Sequence, residues 1–438
     1  LSDPRVHVHT NDARNALLLT DRKFDAIVSQ PSHPWSGGAA HLYTREFFEL
    51  VQSRLSDDGV FVQWIGLGFV DAPLFRSLLA SLDDVFAHVQ VYGPKPLAGA
   101  LFVASDTPFD VAGSAAAALA QAPEELAPFG VRVAEDLGAA LLLDEAGVAA
   151  LSAGAPLNRD GNNLLQTGSP RVLDRSLLGG VAQLVGPVDP LREGLPAGFD
   201  RGYLLRHLPP WRGTHLVASL PEGPDRQVAQ ALIRVAQGKR EAARKLLSEA
   251  LGESPRQREG RAALLGLSQR AITKGKDPLS VVASPLEGSE VAVVAGWQRL
   301  GRDASTVAVL EPALAAVPPR DPLAAAAYRL RAEWRVHGDD PVQAQEAIAL
   351  ADLAYDASGG DLQDLLLRAR VCVAAGEPAA AFHTLALLSS AIQPHTPGGR
   401  GLAGRAQRFA KSIPVTGELV RVQRGLARRL SSQAREPR

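Results

Sequence analysis

The first hundred residues alternate between short runs rich in β-branched and aromatic residues and longer amphipathic stretches. Stretches in which apolar residues recur at every second position, followed by stretches in which they recur about every 3.6 residues, are typical of a sheet covered by helices. We therefore predict an α/β fold with a mostly parallel sheet for this part of the chain. The predicted strands are RVHVHT (5–10), FDAIVS (24–29), GVFVQWI (59–65), HVQVY (88–92) and ALFVAS (100–105).

Two helices are predicted between these strands. Residues 44–55 place Phe48 and Val51 on one face, and Thr44 is a suitable N-cap. Residues 71–84 repeat the pattern with four leucines on one face.

After Asp225 the sequence predicts helices only. Helical stretches end near a glycine, a short polar turn follows, and an Ala-rich helix resumes. Such units cannot bury their apolar faces alone and must stack on neighbours. A spacing in the mid-thirties is typical of tetratricopeptide-like (TPR-like) repeats, so we predict an all-α, helical-repeat solenoid following the α/β part. The glycines are Gly238, Gly275, Gly301, Gly338 and Gly376, with steps of 37, 26, 37 and 38.

The carboxyl-terminal segment, 396–438, is a predicted basic amphipathic tail. The last 39 residues contain ten Lys or Arg, and their only acids are Glu418 and Glu436. Two interpretations stay open: a solvated capping helix, or a helix that binds a membrane surface or an acidic partner.

Composition excludes several classes of function. A formal net charge of −1 gives no global attraction to nucleic acid. The single cysteine, Cys372, rules out an internal disulfide framework and a zinc site built on several cysteines. We expect no metal site at His7 and His9 either. The sequence begins with Leu and contains no Met, so we interpret it as a fragment of a longer protein.

Four segments in the amino-terminal part carry a family resemblance. DPRVHVHTNDARNAL (3–17), FDAIVSQPSHPW (24–35), LYTREFFELVQSRLSDDGVFVQW (42–64) and YGPKPLAGALFVAS (92–105) resemble spermidine/spermine synthases, in the same order. The resemblance is closer to bacterial spermidine-synthase-like proteins that join this domain to membrane helices and to helical repeats. LNRDGNNLLQ (157–166) is similar to an Asn/Asp motif that follows the domain in those proteins.

The resemblance implies a methyltransferase-like Rossmann sheet that binds decarboxylated S-adenosylmethionine or a related adenosyl thioether. It assigns Asp12 to the adenine amino group, and Ala13 keeps the approach to the base open. A second interpretation is that Asp12 only caps the helix at 13–19. Both remain open at this point.

The resemblance also implies a loop in which one aspartate takes the proton of the acceptor amine and a second holds the polyamine cation. Gln30 and His33 occupy those positions here, with Ser32 and Tyr43 on the substrate side. A glutamine amide cannot accept a proton at neutral pH, and an imidazole supplies no fixed negative charge. Aminopropyl transfer to a diamine is therefore doubtful. His33 is either a base for another acceptor or a hydrogen-bonded loop histidine.

These features give four predicted segments: the carboxyl-terminal part of a spermidine-synthase-like domain (1–107), a mixed helical extension and linker (108–225), TPR-like repeats (226–395) and the basic tail (396–438). The Rossmann sheet is expected to be partial, with its first strands missing, so we expect this polypeptide alone to bind the nucleoside poorly and to be inactive. The alternative function is a non-catalytic scaffold that binds a protein partner through its repeats. The resemblance places a full-length form at the cytoplasmic face of a membrane.

Overall fold

The protein is described by a computed structural model that covers residues 3–31, 33–93, 98–172, 176–195, 198–336, 341–392, 398–415 and 419–435. It divides into two compact units. The first comprises Leu1–Glu125 with Ala134–Phe199, and the second comprises Leu126–Val133 with Asp200–Arg438. No helix within the described ranges has both the length and the apolarity needed to cross a lipid bilayer.

The first unit contains a five-stranded sheet in the order β1-β2-β4-β3-β5. Only β1 and β2 are parallel, and the other three pairings are antiparallel. The prediction of a mostly parallel sheet is therefore wrong for the described strands. The connection from β3 to β4 is too short for a crossover, so these strands must be antiparallel neighbours. The strands are β1 Phe24–Ser29, β2 Leu55–Gly66, β3 His88–Tyr92, β4 Gly99–Ser105 and β5 Leu141–Leu143.

The predicted strand at 5–10 is also wrong. These residues have no regular structure and are exposed, with Val8 67% accessible. A strand requires a ladder of hydrogen bonds to a neighbour, and residues 5–10 pair with no described strand. β1 is an edge strand of this sheet, and its Val28 is 69% accessible.

The helices of this unit include those predicted from the sequence. Asp71 caps the third helix by accepting a hydrogen bond from the Leu74 amide (3.1 Å). Phenylalanines on α2 and α3 pack against strand residues: Phe48 lies 5.7 Å from Phe61, between ring centroids. The helices are α1 Ala13–Leu19, α2 Arg45–Gln52, α3 Ala72–Asp83, α4 Val111–Gln121, α5 Pro123–Leu126 (which ends at the first residue of the second unit), α6 Ala134–Ala140, α7 Glu145–Ser152, α8 Leu164–Gly168 and α9 Val181–Val185.

The second unit is helical throughout its described residues after 200. Its helices are α10 Arg201–His207, α11 Pro210–Ala218, α12 Pro224–Ala236, α13 Arg240–Glu253, α14 Arg258–Thr273, α15 Leu279–Val282, α16 Ser289–Leu300, α17 Glu311–Ala315, α18 Ala324–Arg335, α19 Pro341–Ala357, α20 Leu362–Ala374, α21 Pro378–Ala391, α22 Gly399–Ser412 and α23 Leu419–Arg435. This agrees with an α/β part followed by an all-α part.

Three of the predicted helix-ending glycines have the positive φ that favours glycine. Gly238 (φ 74°) separates α12 from α13, Gly275 (φ 100°) separates α14 from α15, and Gly376 (φ 78°) separates α20 from α21. Gly301 differs, with φ −71°. Gly338 lies outside the described residues. The TPR-like arrangement itself stays a prediction.

The core of the second unit holds large buried side chains. Trp297 on α16 is 2% accessible and packs in a cluster with helices α14 to α20. A buried ion pair lies in the same unit: Arg261 donates to both carboxylate oxygens of Glu290, at 2.9 and 2.6 Å. Cys372 is fully buried in a neighbouring cluster.

We predict that Trp297→Ala lowers the free energy of unfolding of the helical unit by about 3–5 kcal/mol, because it leaves a cavity in a packed core. Val291→Ala, on the same helix but 53% accessible, should change it by less than about 0.5 kcal/mol. Urea titration followed by circular dichroism measures both. Equal midpoints for Trp297→Ala and the unmodified protein would contradict the packing described.

Candidate functional site

A buried glutamine lies at the end of the parallel strand pair. Gln63 on β2 is opposite Ser29 of β1, and its Nε2 donates to the backbone oxygens of Ser29 (3.3 Å) and Trp64 (3.0 Å). The residue is fully buried, yet its Oε1 has no hydrogen-bond partner within the described part of the chain. An unsatisfied buried carbonyl costs about 1–3 kcal/mol. This oxygen is therefore suited to accept a hydrogen bond from an N–H group of a ligand.

Sequence reasoning did not select Gln63. The signal was present, because a glutamine stands at an inward position of the strand GVFVQWI, between Phe61 and Ile65. Along a strand, residues two apart share a face, and both of these neighbours are fully buried. A polar residue at such a position requires an explanation.

Aromatic rings surround the loop that follows β1. The imidazole of His33 packs against Trp35 (4.8 Å between centroids) and Phe69 (5.1 Å), and Phe69 also packs against Trp64 (6.2 Å). His33 and Trp35 are both exposed. Among the described residues, the His33 ring has ring contacts and no hydrogen bond. The structure thus holds the imidazole by packing and leaves its nitrogens free.

Tyr43 joins the same group of residues. Its O–H donates to the Trp64 backbone oxygen (3.5 Å), the acceptor that Gln63 also uses. Burial raises the pKa of the Tyr43 phenol, so the group stays neutral and acts as a donor.

Tyr43 and Gln63 share the Trp64 backbone oxygen, and the His33 ring reaches the Trp64 ring through Phe69. The acceptor-side roles of Gln30, His33 and Tyr43 stay predictions. Gln30 directly follows Ser29 and is exposed. Ser32 lies outside the described residues. We call Gln30, His33, Tyr43 and Gln63 the acceptor cluster.

Asp12 and Ala13 lie at the start of α1. The Oδ1 of Asp12 accepts a hydrogen bond from the Asn15 amide (2.9 Å), so Asp12 caps this helix. Its assignment to the adenine amino group stays a prediction. Asp12 is exposed, and its Oδ2 has no partner among the described residues. That oxygen fits a donor such as the adenine amino group. The structure records no contact between Asp12 and the acceptor cluster.

Asp160 joins three parts of the first unit. Arg14 of α1 donates to both of its carboxylate oxygens (2.7 and 2.6 Å), and the Thr44 hydroxyl donates to Oδ1 (2.8 Å). The Nδ1 of His41 lies 3.3 Å from the same oxygen. The hydrogen bonds from Arg14 chiefly lower the pKa of Asp160, from 3.8 to about 2. Thr44 is at the N-cap position of α2, but its hydroxyl binds Asp160 instead of capping the helix.

Two buried asparagines of the LNRDGNNLLQ segment hold the loop backbone. The Nδ2 of Asn158 donates to the Tyr43 oxygen (2.8 Å), and the Nδ2 of Asn163 donates to the Ala40 oxygen (3.0 Å). Both carbonyls belong to the same 3-10 helix, Ala39–Tyr43. We call Asn158, Asp160 and Asn163 the Asn/Asp clamp. It fixes the position of Tyr43 in the acceptor cluster.

Metal chemistry finds no support here. Within the described ranges, no group of three His, Cys, Asp or Glu side chains could hold a metal ion.

Comparison with known proteins identifies the domain. Residues 1–94 match the family described as "Spermine/spermidine synthase domain", which confirms the resemblance for this segment. A polyamine aminopropyltransferase of Synechococcus sp. (strain JA-2-3B'a(2-13)) is 39% identical over 92 residues, 20% of this chain and 30% of the relative. One of Nitrosomonas europaea is 37% identical over 109 residues, 24% and 33% of the two chains. The match thus spans about a third of the length of these curated relatives.

We predict that Asp160→Asn destabilises the first unit more at about pH 6 than at about pH 3. The pKa of Asp160 is lower in the folded state, about 2, than its ordinary value of 3.8. Its contribution to stability is therefore complete above pH 3.8 and disappears as the pH falls toward 2. Urea midpoints of the variant and the unmodified protein, measured at both pH values, give the comparison.

The control is Asp21→Asn, because the Asp21 carboxylate is exposed and has no partner among the described residues. It should not change the midpoint at either pH. The role of the Arg14 contact would be contradicted if the urea midpoints of Asp160→Asn and of the unmodified protein differed by the same amount at both pH values.

Proposed function

Because residues 1–94 carry a spermine/spermidine synthase domain, we propose that this chain contributes the acceptor side of a group transferase. The donor is decarboxylated S-adenosylmethionine or a related adenosyl thioether, and the group is aminopropyl or a related alkyl group. The acceptor is an amine with a single positive charge. The observation that carries this choice is the acceptor cluster, which has an amide and an imidazole where the resemblance implies two carboxylates.

The donor supplies an electron-poor carbon next to a sulfonium. An ammonium nitrogen has no lone pair, so the acceptor first gives up one proton. The free amine then forms a bond to that carbon while the carbon–sulfur bond breaks and the neutral thioether leaves. His33 is the group in the acceptor cluster that can take this proton, because a neutral imidazole nitrogen accepts protons and the ring makes no hydrogen bond to any described residue. The Oε1 of Gln63 can accept a hydrogen bond from the amine and orient it.

The charge balance of the loop disfavours a diamine. The sequence has no Asp or Glu between Asp25 and Glu46. Asp160 reaches the loop, but its charge is paired with Arg14. The aromatic faces of Trp35 and Phe69 can stabilise one ammonium by about 0.5–2 kcal/mol. Among the described residues, no carboxylate contacts a member of the acceptor cluster, so the cost of dehydrating a second ammonium there would not be offset.

The test is transfer by the protein expressed from its complete coding sequence. It would be incubated with decarboxylated S-adenosylmethionine and either putrescine or 1-aminobutane, which is putrescine without one amino group. We expect a higher kcat/KM for 1-aminobutane. A higher kcat/KM for putrescine would overturn the proposal.

A scaffold is the second candidate. The helix–turn–helix units around Gly238 and Gly376 favour it, since stacked helix pairs build extended surfaces for protein partners. Under this proposal neither amine would be alkylated, and methylthioadenosine would give no heat of binding in calorimetry.

We predict that Gln30→Asp combined with His33→Asp tightens putrescine binding by about tenfold or more, because two carboxylates attract a dication that the present loop does not. Isothermal titration calorimetry measures the dissociation constant of both proteins. The matched control carries the same changes in the helical unit, Gln237→Asp with His383→Asp, and should leave binding unchanged. Equal affinity of the unmodified protein and the loop variant would contradict the prediction.

A further inference from the structure

The last two described helices, α22 and α23, form a hairpin whose exposed ionisable side chains are all basic. Residues 398–415 and 419–435 contain no Asp or Glu. Among the described residues, these basic side chains make no ion pair. We call this surface the cationic hairpin; its exposed members are Arg400, Arg405, Arg408, Lys411, Arg421, Arg424, Arg428 and Arg429.

Three of these cations converge. Lys411 of α22 and Arg424 and Arg428 of α23 line an open groove of about 350 Å³ between the two helices. Ser431 adds a hydroxyl to the same groove. Like charges that line one groove repel one another, and an anion bound between them would reduce that repulsion.

The walls of the groove are fixed in position. The Nε2 of Gln423 donates to the backbone oxygens of Ala410 (2.9 Å) and Ile413 (2.8 Å), which ties α23 to the end of α22. Behind the groove, Leu426 and Leu430 are buried in the core that both helices share with α20 and α21. A ligand therefore meets side chains that are already placed on opposite walls.

Guanidinium and ammonium groups on opposite walls suit a compact anion with several oxygens. Arginine presents a planar fork that binds phosphate through two parallel hydrogen bonds, and lysine adds a point charge. Three cations around one groove match adjacent phosphate groups better than the single, spaced carboxylates of an acidic peptide.

The surroundings disfavour a membrane or a single-stranded nucleic acid. Most apolar side chains of both helices are buried in the core, and Val422 is the one large exposed apolar side chain on the described part of the hairpin. This surface is too small for a helix that inserts between lipids. The hairpin's only described aromatic residue, Phe409, packs against that core and offers no exposed ring for base stacking.

We propose that the groove of the cationic hairpin binds a small, soluble ligand with two or more linked phosphate groups. Arg424 and Arg428 bind the phosphate oxygens as forks, and Lys411 binds them from the opposite helix. This site is independent of the acceptor cluster and of the proposed transferase activity.

The test uses inorganic tripolyphosphate as the probe, titrated into the full chain in a calorimeter. We expect saturable binding that weakens as the salt concentration rises from about 50 mM to about 300 mM. Combining Lys411→Gln, Arg424→Gln and Arg428→Gln should weaken it by about 30-fold or more. Absence of saturable binding to the unmodified protein at about 1 mM probe would overturn the proposal.

The matched control, Arg400→Gln with Arg405→Gln and Arg408→Gln, removes the same charge from the same hairpin outside the groove. It should weaken binding by less than about threefold. An equal loss in both triple variants would mean diffuse attraction and would overturn the groove as a site. Tighter binding to phosphatidylglycerol vesicles, duplex DNA or polyglutamate than to tripolyphosphate would overturn the choice of ligand class.

Discussion

The parallel pairing of β1 with β2 is the constraint on which the acceptor cluster depends. It sets Ser29 opposite Gln63, and the Gln63 amide then bridges the two strand ends. In a parallel pair both strands end at the same edge of the sheet, so the loops that follow must meet there. Gln30 and His33 come from the loop after β1, while the rings of Trp64 and Phe69 come from the end of β2 and the turn after it.

The Asn/Asp clamp adds a second constraint from far along the chain. Asn158 and Asn163 satisfy backbone carbonyls of the 3-10 helix that carries Tyr43, and Asp160 binds Arg14 of α1. Buried carbonyls need partners, so a loop held in this way cannot be rearranged without leaving several groups unsatisfied. The segment that follows the matched domain is thus part of the site's support.

Charge is distributed differently in the two units. In the first unit, the charges of Arg14 and Asp160 balance each other, and the positions for which the resemblance implies two carboxylates carry an amide and an imidazole. In the second unit, the buried Arg261–Glu290 pair is fully compensated, whereas the described residues of the cationic hairpin include basic side chains and no Asp or Glu. A near-neutral total charge therefore conceals one strongly basic surface. The net charge of the whole chain excludes a strong overall electrostatic field, but it does not show where charge is concentrated on the surface.

The sequence by itself determined the local features of this protein. The hydrophobic period predicted four of the five strands correctly. Asp12 and Asp71 cap the starts of their helices, and Gly376 marks a turn. Such caps and turns can be read from the sequence because they are set by hydrogen bonds between near neighbours. Only the tertiary structure decided the strand order, the loss of a strand at 5–10, the unpaired oxygen of Gln63 and the contact of Asp160 with Arg14. Each of these depends on contacts between segments that are far apart in the sequence. Several such contacts are possible for each segment, and the one that forms leaves no periodic pattern along the chain.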